Sequence, residues 1–350
     1  MALIIGTNQS KANTLYTLAP GDNFLLPANI VAYSTLLYAI DASYGGVSLT
    51  IDGTLIGYDV GVRMNSFGSN ATNHLTIGAT GVVAATNPEI GTAITSTGAE
   101  TSIVNAGLVT GNVGILMVQD ISHIGSTIFN SGRIISEDRS VDHGTAGQKL
   151  TLTNTGTITS YDSYSFDSDG LTAVDIIVNK GTMSGDVYLG GAGDTYEGNG
   201  GRVIGAVIGA AGNDILRGGA FVDNFYGGSG TDSITGRLGK DVLEGGGPEA
   251  DNFYYFSVAE VSDTILDFTT ADYLRFKSTA FGNATIGTCS SANFRSNTTG
   301  LAQDADDRFI YETDRDILWF DANGTGAGGL VLVTDFAYDV NLTRADIIIF

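Results

Sequence analysis

The chain has 350 residues, with 16 Lys and Arg against 38 Asp and Glu, for a net charge of −22. So acidic a field excludes nucleic acid and anionic membrane surfaces as partners, because no basic patch outweighs it. Only 15% of the residues are charged and 43% are hydrophobic, which excludes a disordered acidic tail, while 49 Gly and 4 Pro point to many tight turns between short strands.

The opening residues, MALIIGTNQSKANTL, carry no basic segment and too short an apolar run for an N-terminal export signal. No stretch of about 18 apolar residues follows, so no membrane insertion is expected. Residues 1–45 read as an N-terminal cap or assembly segment.

Residues 46–185 carry a repeat of the form N-x-G-x-(apolar)-x-(Gly/Ser). Its copies begin at Asn105, Asn130, Asn154 and Asn179, at spacings of 25, 24 and 25 residues. Weaker copies lie at Thr80-Gly81 and Asp52-Gly53. Alternating apolar residues before each copy, such as Leu150-Thr-Leu-Thr, are half-buried strands, and Asn-x-Gly is a turn that tolerates left-handed conformations. A strand–turn–strand unit of this length cannot bury its own inner face. Stacking successive units does so, which predicts a parallel β-helix with coils of about 25 residues. Coils stack at about 4.8 Å, so the four asparagines would form a ladder of side-chain amides.

From residue 181 the period falls to nine, with the form G-G-x-G-x-D-x-U-x, where U is apolar. The aspartate position holds Asp186, Asp214, Asp223, Asp232, Asp241 and, after one inserted residue, Asp251. The apolar position holds Tyr188, Val207, Leu216, Phe225, Ile234, Leu243 and Phe253. Gly209, Gly212, Gly218, Gly227, Gly230, Gly236 and Gly239 open the turns and aim carbonyls at one spot. The pattern also departs from itself. Gly205 replaces an aspartate, Phe221 replaces a third glycine, Arg237 and Lys240 charge one turn, and Asp194 comes one place early. Two nonapeptides make one coil. Asp214, Asp232 and Asp251 should then share one edge, and Asp223 and Asp241 the other, about 5 Å apart along each stack. That is about twice a calcium–oxygen distance. Without metal, neighbouring carboxylates would repel by roughly 3–4 kcal/mol at an effective dielectric of about 20. Calcium binding would then supply folding free energy.

These nonapeptides resemble the RTX, hemolysin-type calcium-binding family. DTILDF (263–268) and DYLRF (272–276) look like the segment that follows the repeats there, including serralysin-type C-terminal domains. Residues 304–336 and LTRADIIIF (342–350) resemble the tail of secreted RTX proteins, which in that family directs type I secretion. The resemblance implies bound Ca2+ and a secreted, extracellular or cell-surface location. It fits the organisation read here: an all-β chain with a parallel β-helix over 46–185, a calcium-binding parallel β-roll over 186–256 and a β-rich C-terminal cap over 257–350. Asp321 and Asn323, in a glycine turn, read either as one more calcium site or as a solvated hairpin turn. Trp319 and Phe320 read as cap core.

No catalytic residue is assigned. His74, His123 and His143 are the only histidines, and no H-E-x-x-H or G-x-S-x-G occurs. Cys289 is the only cysteine, so no intrachain disulfide is possible, and it reads as a buried small residue. Asp138, Arg139, Asp142 and His143 could serve acid–base work on a uronic acid, with Tyr161, Tyr164 and Phe166 as a sugar platform. The plainer reading is a charged surface loop. Two functions therefore stand: a calcium-folded structural surface protein (S-layer, filament or adhesin subunit), or a polysaccharide lyase or epimerase. Open coil ends favour a homo-oligomer or polymer, and cell-surface polysaccharide is a second candidate partner.

Overall fold

The computed structural model describes all residues except 1, 44, 66–70, 99, 120–124, 145–148, 169 and 171, and the side chain of residue 119; His123 lies outside the described residues. Among the described residues the chain is all β, with one single-turn 3-10 helix at Arg344–Asp346 and no helix long and apolar enough to cross a membrane. It divides into two compact units, Met1–Asp194 with Gly200–Gly205, and Thr195–Asn199 with Ala206–Phe350.

The first unit is a parallel solenoid whose coils contain three strands rather than two. One coil runs Thr101–Asn105, Leu108–Gly111 and Val113–Gln119, and the next runs Ser126–Asn130, Arg133–Ser136 and Val141–His143. Stacking is parallel and in register, so Ile103, Ile128, Leu152 and Ile177 line up inside, each at most 1% exposed. Each such side chain stabilises the coil by about 1.5–3 kcal/mol relative to exposure. The first residues are built the same way, with Leu3–Ile5 pairing with Asn23–Leu26, which pairs with Ser48–Ile51.

The asparagine ladder is present. Asn105 Nδ2 donates to Asn130 Oδ1 at 2.8 Å, Asn130 to Asn154 at 2.8 Å and Asn154 to Asn179 at 2.9 Å, all fully buried. The reason for the partner glycines differs from the expected one. Gly107, Gly132, Gly156 and Gly181 are not among the positive-φ residues. A Cβ at Gly132 would instead lie 2.2 Å from the Gly107 carbonyl oxygen, and one at Gly156 2.1 Å from that of Gly132. Close approach of stacked coils requires the glycine.

The stretch read as a charged surface loop is also different. Val141–His143 is a buried strand, while Asp138 and Arg139 before it stay partly exposed. Arg139 meets Asp142 at 3.0 Å and Asp167 at 2.9 Å, and the fully buried His143 meets Asp175 at 2.9 Å. Period counting missed this third strand because its polar residues hid the alternation.

The second unit is a parallel roll with two short strands per coil. Ile215–Arg217 pairs with Ser233–Thr235, which pairs with Asn252–Tyr255, then Tyr273–Phe276 and finally Ile347–Ile349. On the other side Val207–Ala211, Asn224–Ser229, Val242–Glu244, Asp263–Ile265 and Leu330–Phe336 stack in turn. Val207, Leu216, Phe225, Ile234, Leu243 and Phe253 fill the core at 0–1% exposure, as the nonapeptide predicts. The antiparallel strands Phe309–Glu312, Ile317–Asp321 and Leu330–Phe336 follow, closed over a ring cluster. In it Phe276 lies 4.7 Å from Phe309 and Phe281 lies 5.0 Å from Phe320. Phe320 is buried there, whereas Trp319 is half-buried and donates its indole N–H to Glu312 Oε2 at 2.8 Å.

Candidate metal centre

Most short strands of the roll begin at an aspartate, and the strand register sets these residues one above another. From Asp232 on one edge and Asp241 on the other, each accepts a hydrogen bond from the backbone N–H of the aspartate one coil earlier. On one edge Asp214 N donates to Asp232 Oδ1 at 2.7 Å, Asp232 N to Asp251 Oδ1 at 2.8 Å and Asp251 N to Asp272 Oδ1 at 2.9 Å. On the other edge Asp223 N donates to Asp241 Oδ1 at 2.9 Å and Asp241 N to Asp263 Oδ1 at 3.1 Å. Two nonapeptides per coil thus bring the repeat aspartates together on two edges.

The second oxygen distinguishes members of the ladders. Oδ2 of Asp232, Asp241, Asp251 and Asp263 is buried and has no hydrogen-bond donor among the described residues. Asp223, whose repeat has Phe221 in place of the third glycine, receives Gly219 N–H on Oδ2 at 3.0 Å. Asp272 Oδ2 receives Thr269 N–H at 2.7 Å and Thr269 Oγ1–H at 3.0 Å. Buried carboxylate oxygens without donors are costly unless a cation meets them.

The glycines leave space at these oxygens. A Cβ at Gly227 would lie 2.4 Å from Asp232 Oδ2 and 2.5 Å from the Gly245 carbonyl oxygen. At Gly209 it would meet Asp214 Oδ2 and the Gly227 carbonyl, at Gly218 Asp223 Oδ2 and the Gly236 carbonyl, and at Gly236 Asp241 Oδ2. Gly212, Gly230 and Gly239 hold φ of 145°, 126° and 158°, a conformation that favours glycine. Among the described residues no three His, Cys, Asp or Glu side chains form a metal cluster. A cation on a ladder would therefore draw on carboxylates and backbone carbonyls together, an all-oxygen set suited to a hard ion such as Ca2+.

Without a cation these carboxylates would be electrostatically strained. Burial, with Asp241 adding to it, pushes Asp223 up to about 6, and burial with Glu249 pushes Asp232 up to about 6. Burial and the carboxylates of Asp232, Asp272 and Asp267 raise Asp251 to about 7, and burial with Asp241 and Glu260 raises Asp263 to about 8. Asp241 and Asp272 are also raised, chiefly by burial.

The remaining expected residues are placed as follows. Asp194 is buried in the first unit, and its Oδ1 accepts from Asp175 N at 2.6 Å. Asp186 lies half-buried on the strand Thr182–Tyr188, outside either ladder, and there Val187 and Leu189 rather than Tyr188 point inward. Asp321 is 5% exposed and Asn323 is exposed, in a hairpin loop tied by Asn323 N–H to Asp321 Oδ1 at 3.0 Å and Asn323 Nδ2 to the Ala327 carbonyl at 3.1 Å. Cys289 is buried, and burial pushes its thiol up to about 11. Pattern reading missed Asp263 and Asp272 as ladder members, and Asp175, whose N–H donates to Asp194 Oδ1 and whose carboxylate meets His143. Each begins a D-x-U triplet whose apolar residue (Ile177, Ile265 or Leu274) is fully buried, and that triplet was the available signal.

The second unit is thus a β-roll of a cation-binding type. Residues 208–243 match the family model of the RTX calcium-binding nonapeptide repeat, in four copies. The chain carries this hemolysin-type calcium-binding repeat, and the resemblance read from the nonapeptides stands. No curated protein matches the chain.

Proposed function

We propose that this is a secreted, calcium-folded structural protein of a cell surface, a subunit of an S-layer, filament or adhesin. It would leave the cell unfolded by type I secretion and fold on extracellular calcium. The observation that carries this reading is the row of buried, donorless oxygens on Asp232, Asp241, Asp251 and Asp263. Calcium would be held by Asp214, Asp232 and Asp251 on one edge and Asp223, Asp241 and Asp263 on the other, with first-glycine carbonyls completing the shell. Bound there, the ion neutralises the ladder charge, and its binding free energy becomes folding free energy. The enzymatic alternative draws no support from its best cluster, because His143 and Asp175 are fully buried against each other and Arg139 is held by Asp142 and Asp167.

Calcium titrated into chelated protein tests the reading, followed by far-UV circular dichroism and light scattering. The expected course is a gain of β-structure, followed by large particles. A chain fully folded without calcium sinks the metal-driven account. A calcium-dependent monomer that never associates sinks the structural assembly.

A further inference from the structure

We infer that the outward face of the roll strands carries a binding site for an acidic sugar ring, built from Tyr254, Phe256, Phe350, Arg217 and Arg275. It goes beyond the proposed function and needs only a folded second unit. A groove of about 190 Å³ runs over this face, lined by Ile215, Arg217, Ser233, Thr235, Tyr254 and Phe256. That is smaller than the ~300–1,000 Å³ of an ordinary small-molecule pocket, so it suits one ring of a longer chain.

The groove wall is aromatic. Tyr254 and Phe256 stack at 6.0 Å with 17° between their planes, and Phe350 stands edge-on to them at 5.6 Å and 5.5 Å. Phe256 remains 40% exposed despite these ring contacts, so one edge of the cluster faces solvent. The C–H face of a pyranose packs on such rings.

The charge of the face selects the ligand. In a chain of net charge −22, its outward side chains include Arg217 and Arg275. Glu197 is shared between Arg217 at 2.5 Å and Arg237 at 3.6 Å, and Glu260 accepts the Phe256 N–H at 2.9 Å, so the guanidinium left over on this face is that of Arg275. Arg275 has no carboxylate partner among the described residues. Its guanidinium lies 5.7 Å from the Tyr254 ring and 5.5 Å from the Tyr273 ring, and its Nε–H donates to Asn252 Oδ1 at 2.5 Å. The two terminal amino groups make no hydrogen bond within the described residues, so they can take a carboxylate in a paired, charge-assisted contact. Aromatic stacking beside an unpaired guanidinium is the chemistry that recognises a uronic acid within a polysaccharide.

Tetragalacturonate titrated calorimetrically into the calcium-saturated full chain tests this, with galactotetraose as the neutral control. Binding of the acidic oligosaccharide alone is expected. Because uronates also hold calcium, variants locate the site. Phe256→Ala and Arg275→Gln should each weaken binding about tenfold, the loss of one such contact, with calcium uptake and Trp319 fluorescence unchanged. Phe256, being exposed, keeps the test open should Arg275→Gln unfold. Equal affinity of parent and variants puts the uronate on the calcium ladders and overturns the proposal. Equal binding of the neutral sugar overturns it too. So does a parent that binds neither sugar but dimerises in a manner abolished by Phe256→Ala, which would make the face a contact between copies.

Discussion

Removing calcium should make the second unit an acid-stabilised fold. The folded-state pKa of Asp223, Asp232, Asp251 and Asp263 lies above the unfolded value of 3.8, at about 6, 6, 7 and 8. Groups raised in this sense favour the native state while both states are protonated. That advantage is lost as pH rises through the unfolded and then the folded pKa, because the unfolded chain releases protons that the native one must keep. At about 1.4 kcal/mol per pKa unit, the penalty at pH 7 is roughly 3 kcal/mol for each group near 6 and roughly 4 for Asp251 and Asp263. These groups couple, so the total is on the order of 10 kcal/mol, comparable with the whole stability of a domain. Trp319, the only tryptophan, lies in this unit and reports on it. Its fluorescence should show native structure near pH 5 in calcium-free buffer, above the isoelectric point of about 4.1, and loss of that structure by about pH 8. Added calcium should reverse the trend, since metal competes with protons and binds more tightly as pH rises. Calcium-free protein that is equally folded at both pH values, or more folded at the higher one, would refute the reasoning.

Substitutions on the ladder should separate ligands from caps. Asp232→Asn should lower the number of calcium ions bound in equilibrium dialysis, whereas Asp272→Asn, whose Oδ2 is already met by Thr269, should leave it unchanged. In the first unit, Asn154→Ala removes four side-chain hydrogen bonds, two of them the buried ladder bonds to Asn130 and Asn179, which should cost about 2–4 kcal/mol in thermal or denaturant melting. Gly132→Ala drives a Cβ to 2.2 Å from the Gly107 carbonyl and should destabilise the same unit by roughly 3 kcal/mol.

The parts of the fold read most directly from sequence are those where one residue type must recur at one height in every coil. The buried asparagines 105, 130, 154 and 179 and the inward residues Leu216, Phe225, Ile234 and Leu243 are of this kind. Less legible were positions where tertiary pairing replaces a local rule. Asp142 and His143 look like loop residues until Arg139 and Asp175 are brought beside them. Asp263 and Asp272 lack preceding glycines, so nothing in a nonapeptide count includes them, although strand pairing carries them into the ladders. Asp186 has the glycine before it but sits on a strand of the first unit, where register overrides motif. The glycine of N-x-G was legible while its cause was not, since a backbone approaching from the next coil leaves no local trace.

The two ladders are one device with different electrical consequences. An asparagine side chain is both donor and acceptor, so Asn105, Asn130 and Asn154 each pass a hydrogen bond to the next coil, and the stack satisfies itself. An ionised aspartate only accepts. Its Oδ1 is met by the backbone N–H of the coil before, and among the described residues no donor hydrogen-bonds Oδ2 of Asp232, Asp241, Asp251 or Asp263. Exchanging amide for carboxylate along a stack therefore exchanges a self-sufficient solenoid for one that needs a cation. By this argument the first unit's asparagine coils should keep their structure in chelator while the aspartate coils of the second lose theirs. Hydrogen exchange followed by mass spectrometry can read both from one calcium-free sample. Protection lost equally at Ser126–Asn130 and at Ser233–Thr235 would show that the side-chain chemistry of the ladder does not set the metal dependence.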